Sequence, residues 1–155
     1  MRFVLDTSVI IEYIIVNSPL RNLLSSLFFY AVKGVHEIYL STVTLAEVFY
    51  VSKRIYEEVG TENPEEASRN FLFFLNRHKG LSIIPPNFNI AIEAGRIKSL
   101  YKISMADAFV LATAKTLKAK ALFRKIEKEV EPFVEHISRE YGFITIEEIS
   151  KMLDT

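Results

Sequence analysis

Five short runs of β-forming residues recur along the chain, and a helical pattern follows each of them. The runs are Phe3-Val4-Leu5, Glu37-Ile38-Tyr39-Leu40, Leu81-Ser82-Ile83-Ile84, Lys120-Ala121-Leu122-Phe123 and Gly142-Phe143-Ile144-Thr145, the last reading as a strand or an extended piece. Strands separated by helix-length segments pair through crossovers rather than hairpins, which makes the sheet mostly parallel. A parallel sheet buries both faces, so helices must cover both. The fold class that follows is a three-layer α/β/α with a mostly parallel central sheet. At 155 residues, half of them apolar, the chain suits one domain over 1–155 with ample core. It carries no internal repeat, low-complexity tract or linker.

The helices can be placed by their punctuation. A short one is expected over 9–16, stopped by Asn17-Ser18-Pro19, and a second over 19–33, ended by Gly34. The second carries Leu20, Leu23, Leu24, Leu27 and Ala31 on one stripe and Phe28, Phe29, Tyr30 and Val32 on further faces. A helix apolar nearly all round is deeply buried or an association surface. Further helices are expected over 41–60, 63–80, 87–101 and 104–118, the fourth-mentioned span of the chain, 63–80, with Phe71, Leu72, Phe74 and Leu75 toward the core. A charged helical stretch over 124–131 follows, another helix begins at Pro132, and Thr145-Ile146-Glu147-Glu148 opens a final one as a capping box.

Composition narrows the chemistry. There is no cysteine, which excludes disulfides, thiolate nucleophiles and cysteine zinc sites and fits a reducing cytoplasm. His36, His78 and His136 lack metal-ligand spacing. Nineteen basic and nineteen acidic residues cancel, so any nucleic-acid surface would be a local patch. Asp6 and Glu12 interrupt the apolar start, which argues against a signal peptide, and no apolar run reaches the ~18 residues of a membrane span. A cytoplasmic protein without a membrane segment is expected.

Three acids sit where the apolar pattern makes them costly. Asp6 ends the first buried run, with Thr7 and Ser8 after it. Glu47 has Val43, Thr44, Tyr50 and Val51 as its helical neighbours, and Asp107 has Ile103, Val110 and Leu111. Each has a purely structural alternative. Asp6 or Thr7 can cap the next helix, Glu47 can lie at a rim, and Ser104 with Asp107 has the spacing of a capping box. Taken together they point elsewhere. In a parallel α/β layout, strand ends and helix starts gather at the carboxyl edge of the sheet, where ligands bind. Carboxylates gathered there raise one another's pKa unless a cation neutralises them. Oxygen ligands without His or Cys suit Mg²⁺ or Mn²⁺, ions that activate water and stabilise phosphoryl transition states.

With those residues in view, the chain resembles the PIN-domain family, in particular the small prokaryotic VapC toxins of toxin–antitoxin pairs. Val4-Leu5-Asp6-Thr7-Ser8 resembles the opening motif and Thr44-Leu45-Ala46-Glu47 the second. The stretch from Ser104-Met105-Ala106-Asp107 to Ala112-Thr113-Ala114 resembles the third and is the most specific. The resemblance covers nearly the whole chain. It implies Mg²⁺- or Mn²⁺-dependent cleavage of single-stranded or structured RNA, a homodimer, and inhibition by a small VapB-like antitoxin. It also implies Asp6, Glu47 and Asp107 as metal ligands, with Thr7 or Ser8 orienting Asp6 or a water.

One departure stands out. The family places a fourth acid just after the strand that follows the third motif, and the aligned residue here is Lys125. Glu127 is the first substitute and Glu129 the second; both also read as solvated helix charges. Lys118, Arg124 and Lys125 are expected on the RNA backbone, with Lys115, Lys120 and the Arg96, Lys98 and Lys102 group as further candidates. The alternatives are a weak or inactive PIN-like module that binds RNA or protein, a phosphohydrolase of small molecules, and a plain interaction domain using the apolar helices.

Overall fold

The structure is a computed structural model and describes residues 1–153. Its strands are β1 (Arg2–Leu5), β2 (Glu37–Ser41), β3 (Leu81–Ile84), β4 (Lys120–Phe123) and β5 (Phe143–Thr145). Every pairing among them is parallel, in the order β3-β2-β1-β4-β5. The helices are α1 (Thr7–Ile11), α2 (Arg21–Val32), α3 (Thr42–Glu58), α4 (Pro64–Arg77), α5 (Phe88–Tyr101), α6 (Met105–Leu117), α7 (Val134–Tyr141) and α8 (Ile146–Leu153).

Strand alternation divides the core in two. Phe3, Leu5, Ile38, Leu40, Leu122 and Ile144 point to one face, packed by residues of α1, α2, α3, α4 and α8. Val4, Tyr39, Ala121, Phe123 and Phe143 point to the other, packed by α5, α6 and α7. Three layers result, as the alternation of runs requires. Among the described residues no helix is long and apolar enough to cross a membrane.

The strand order places the crevice. β1 connects outward to β2 and β3, whereas β4 lies on its other side and leads to β5. Connections therefore diverge from the β1–β4 pair, and such a switch point opens a cleft beyond the carboxyl ends of those two strands. Leu5 pairs with Leu122 there, and the Asp6 N–H donates to the Leu122 carbonyl at 3.0 Å.

Several elements differ from expectation. α1 begins two residues earlier than residue 9 and ends at Ile11, because Asp6 caps it by accepting from the Ser8 N–H. The chain then turns, with the Tyr13 N–H donating to the Ile10 carbonyl. The stretch expected as a charged helix over 124–131 is irregular, with bends, a turn and the start of a 3₁₀ segment at Glu131–Phe133. Its Lys and Glu residues favour helix, but buried Val130 and the tie of Arg124 to α1 override that weak preference. On α4, Phe71 and Leu75 are buried as expected and Leu72 is half-buried, while Phe74 is 38% exposed and stacks on Tyr13. Of the final capping box the glutamate half forms: the Thr145 N–H and hydroxyl both donate to Glu148 Oε2 at 2.8 Å.

Candidate active site

Beyond the β1–β4 carboxyl edge lies a cleft of about 420 Å³. Asp6, Thr7, Ser8, Glu12, Glu47, Ser104, Asp107, Arg124, Glu127 and Glu129 line it, with Ile11, Ile15 and Val51 as its apolar wall. Asp6 comes from the end of β1, Glu47 from the second turn of α3, and Asp107 from the first turn of α6.

Asp6 is 5% exposed and Ser8 holds it. The Ser8 N–H and hydroxyl donate to Asp6 Oδ2 at 2.9 and 2.5 Å. Oδ1 is buried and finds no partner among the described residues. Burial raises the Asp6 pKa above its ordinary 3.8; the bonds from Ser8 oppose the rise and the charge of Glu47 adds to it. Ser8 therefore orients Asp6 through one oxygen and leaves the other open. Thr7 is buried too, its hydroxyl likewise unpartnered among the described residues.

Asp107 is half-buried in the first turn of α6, where its N–H donates to Ser104 Oγ at 3.1 Å. The cap foreseen from the spacing thus exists. It does not account for the side chain, whose pKa is pushed up to about 7, by burial first and then by the charges of Asp6, Glu127 and Glu47, against the bond from Ser104. Glu47 is half-buried and accepts from the Tyr50 hydroxyl at 3.4 Å, a long contact. Acids from four chain segments therefore repel within one cleft. Among the described residues no three acids or histidines are gathered closely enough to form a ready-made metal shell. The donors still fit a hard divalent cation: all are oxygens, and Asp6 Oδ1 is buried with its lone pairs unused.

The fourth-acid segment reaches the cleft with exposed Glu127 and Glu129, while Lys125 is not among its lining residues. Of the candidate backbone contacts, Arg124 lines the cleft. Lys118 caps the opposite end of α6, eleven residues from Asp107, or roughly 17 Å along a helix axis. Lys115 and Arg96 engage Glu93, and the Lys98 ammonium donates to the Ile103 carbonyl at 2.7 Å.

Sequence reasoning missed Glu12. It interrupts an apolar stretch, the same signal that singled out Asp6, Glu47 and Asp107. Its side chain is 5% exposed, accepts from the Ser18 hydroxyl, and pairs with Arg124 Nε at 2.6 Å.

A doubly covered parallel sheet with an acid-lined cleft at its switch point defines an α/β protein with a carboxylate site. The PIN-domain family model matches residues 3–125, and the chain belongs to that family. Among curated proteins none matches it significantly. Solved structures share its fold, two of them as follows. One is a toxin–antitoxin complex from Klebsiella pneumoniae, with TM-score 0.59, 19% identity and coverage of 92% of this chain and 95% of that one. The other is VapBC2 from Rickettsia felis bound to a DNA fragment from their promoter, with TM-score 0.62, 20% identity and coverage of 94% and 97%.

Proposed function

We propose that this protein is a VapC-like toxin ribonuclease that hydrolyses RNA phosphodiester bonds with the help of a divalent cation. The observation that carries the reading is the convergence of Asp6, Glu47 and Asp107 on one cleft from three distant segments. Burial, with the like charges of Asp6, Glu127 and Glu47 added to it, pushes Asp107 up to about 7; an ionised carboxylate there is costly to fold, and a cation would relieve it. Asp6, Glu47 and Asp107 would hold Mg²⁺ or Mn²⁺, with Glu127, or Glu129 in its place, as a fourth carboxylate. Such an ion supplies positive charge to a developing phosphoryl transition state and favours ionisation of water.

The chain's own part is orientation. Ser8 takes both of its bonds on Asp6 Oδ2, so Oδ1 stays available. Ser104 fixes the first turn of α6 and with it Asp107. No protein nucleophile is required. The proposal extends to partners, because the structural relatives include a toxin–antitoxin complex and VapBC2. A small VapB-like antitoxin and a second copy of this chain are the expected ones. Exposed Phe29, Tyr30, Val32, Phe73 and Phe74 on α2 and α4 support an association surface.

Replacing Asp6 or Asp107 by Asn and measuring RNA cleavage in Mn²⁺ tests the reading; unchanged cleavage overturns it. The second reading, a non-catalytic RNA- or protein-binding module, draws on Lys125 at the fourth-acid position. Calorimetry separates the two, since a module without catalysis would bind no Mn²⁺ in the millimolar range.

A further inference from the structure

The cleft has an electrostatic problem that a cation alone leaves in place. Its lining includes Asp6, Glu12, Glu47, Asp107, Glu127 and Glu129 but one base, Arg124. A phosphodiester entering it carries negative charge toward six carboxylates. Arg124 is also held at two points, through its backbone and through its side chain. Its backbone N–H donates to Ser8 Oγ at 3.2 Å, and that same hydroxyl donates to Asp6 Oδ2. Its guanidinium Nε meets Glu12 Oε1 at 2.6 Å, while 49% of the side chain stays exposed. Glu12 is buried in α1's C-terminal turn beside Val9, Ile10 and Ile11, and Ser18 fixes its other oxygen.

An ion pair with one buried and one half-exposed partner is a weak staple, since desolvating the buried carboxylate offsets much of the attraction. Here the pair does something an apolar contact cannot: it holds a planar cation, half-exposed, on the wall of an acidic cleft. Arginine is suited to that task because its fork matches two phosphate oxygens at once. A group prepositioned in this way contributes to orientation of the substrate and to charge stabilisation during reaction.

We infer that Arg124 binds the substrate phosphate at the cleft, and that Glu12 is the positioning residue that aims it. The inference rests on the nuclease reading for its substrate class. Glu12 makes no contact with the substrate in this scheme and acts through the guanidinium.

The test compares Arg124→Ala, Arg124→Lys and Glu12→Gln with the parent protein. Because Arg124→Ala strands a buried carboxylate, the double variant Glu12→Gln/Arg124→Ala is measured alongside. Cleavage of a fluorogenic single-stranded RNA in Mn²⁺ should fall roughly a hundredfold in kcat/KM for Arg124→Ala and for the double variant. Added guanidinium ion should restore part of it in the variants and none in the parent. Arg124→Lys should recover binding more than kcat, because the ammonium keeps the charge and loses the fork. Glu12→Gln should lower kcat about tenfold with KM less affected. RNA affinity is read by anisotropy in an Asp107→Asn background, where the strand stays intact. There Arg124→Ala should weaken binding and reduce the salt slope by about 0.7. Mn²⁺ affinity by calorimetry should not fall.

Cleavage, binding and salt slope equal to the parent's, or a parallel fall in metal affinity and cleavage, would overturn the inference and leave the pair a structural tie. If the parent cleaves no RNA, the hydrolytic reading fails by itself. Arg124 is then still decided by RNA binding: lost binding in Arg124→Ala upholds it, and equal binding overturns it.

Discussion

The two ends of α6 follow opposite rules. Near its C-terminal end Lys115 and Glu93 are matched. Lys115 donates to Glu93 Oε1 at 3.0 Å, the Tyr141 hydroxyl donates to the same oxygen at 3.1 Å, and Lys115 also lies over the Tyr141 ring. Burial alone would push Glu93 up, yet those bonds hold it below its ordinary 4.5; burial and the Glu93 carboxylate together push Tyr141 up to about 12. At the N-terminal end, burial and then the neighbouring acids push Asp107 up to about 7. The same helix thus carries a carboxylate neighbourhood that folding favours and one that folding opposes. Charges that stabilise a fold come with partners inside it. Charges left in conflict mark a place where a partner is supplied from outside.

Asp107→Asn breaks the comparison most sharply. It removes a charge but keeps the shape, so RNA cleavage in Mn²⁺ should fall roughly a thousandfold, the equivalent of several kcal/mol of lost transition-state stabilisation. Denaturant titration of the metal-free protein at pH 8 should show the variant to be more stable than the parent. Greater stability with lost cleavage is the signature of a site; lower stability with retained cleavage would make Asp107 no more than a helix-start residue.

The second test uses pH. Folding raises the Asp107 pKa from 3.8 to about 7 and raises that of Asp6 as well. The folded protein therefore holds protons that the unfolded chain has released. The stability this contributes is fully present below pH 3.8 and is lost as pH rises through about 7. Water reaches part of the Asp107 carboxyl, so the loss should be about 3 kcal/mol between those limits. Denaturation in chelator at about pH 4 and about pH 8 measures it. Saturating Mn²⁺ should remove most of the decline, because an ion bound to the folded state alone adds stability where the carboxylates are ionised. A metal-independent profile would contradict a cation site at this end of α6.

The sheet and the three acids were legible in the sequence for one reason. Phe3-Val4-Leu5 and its counterparts are apolar runs too short for anything but buried strands, and an acid closing or interrupting such a pattern stands out locally. Glu12 is the same kind of signal, an acid after Val9-Ile10-Ile11, but its meaning depends on Arg124, more than a hundred positions later in the chain. Nothing near Glu12 announces that partner. The 124–131 stretch failed for a related reason. Arg124-Lys125-Ile126-Glu127-Lys128-Glu129 has helix-forming residues, while the contacts that decide its path belong to Ser8 and Glu12 on α1. Local preference is a weak prior wherever distant residues fix the backbone.

At the matched end of α6, the backbone offers a sharper intervention than any charge. Gly142 closes α7 with φ +67°, and a Cβ there would lie 2.9 Å from the Ala119 carbonyl oxygen, just beyond α6. Gly142→Ala should cost about 2 kcal/mol from combined left-handed strain and overlap with backbone that has little room to move. Thermal melting reports the loss. The RNA cleavage rate below the melting transition should be that of the parent, because the strained contact lies at the far end of the helix from Asp107.

The smallest effect is expected from Glu93→Gln. The amide keeps an oxygen for the Lys115 and Tyr141 donors but loses the charge, and with it about 1 kcal/mol for bonds whose donors are partly solvated. Its pH dependence should run opposite to that of the acid cleft. Glu93 titrates below its ordinary 4.5 in the folded protein, so its contribution is present above pH 4.5 and disappears as pH falls through the lowered value. The parent and the variant should therefore converge in stability toward acid pH and separate above it. Asp107→Asn and the parent should separate in the opposite sense, the variant gaining as pH rises toward 8. Two substitutions of one carboxylate by one amide, near opposite ends of the same helix, would then bend the stability profile in opposite directions. Matching signs would mean that the charge at Asp107 is already compensated within the fold, and that the cleft has no need of a cation.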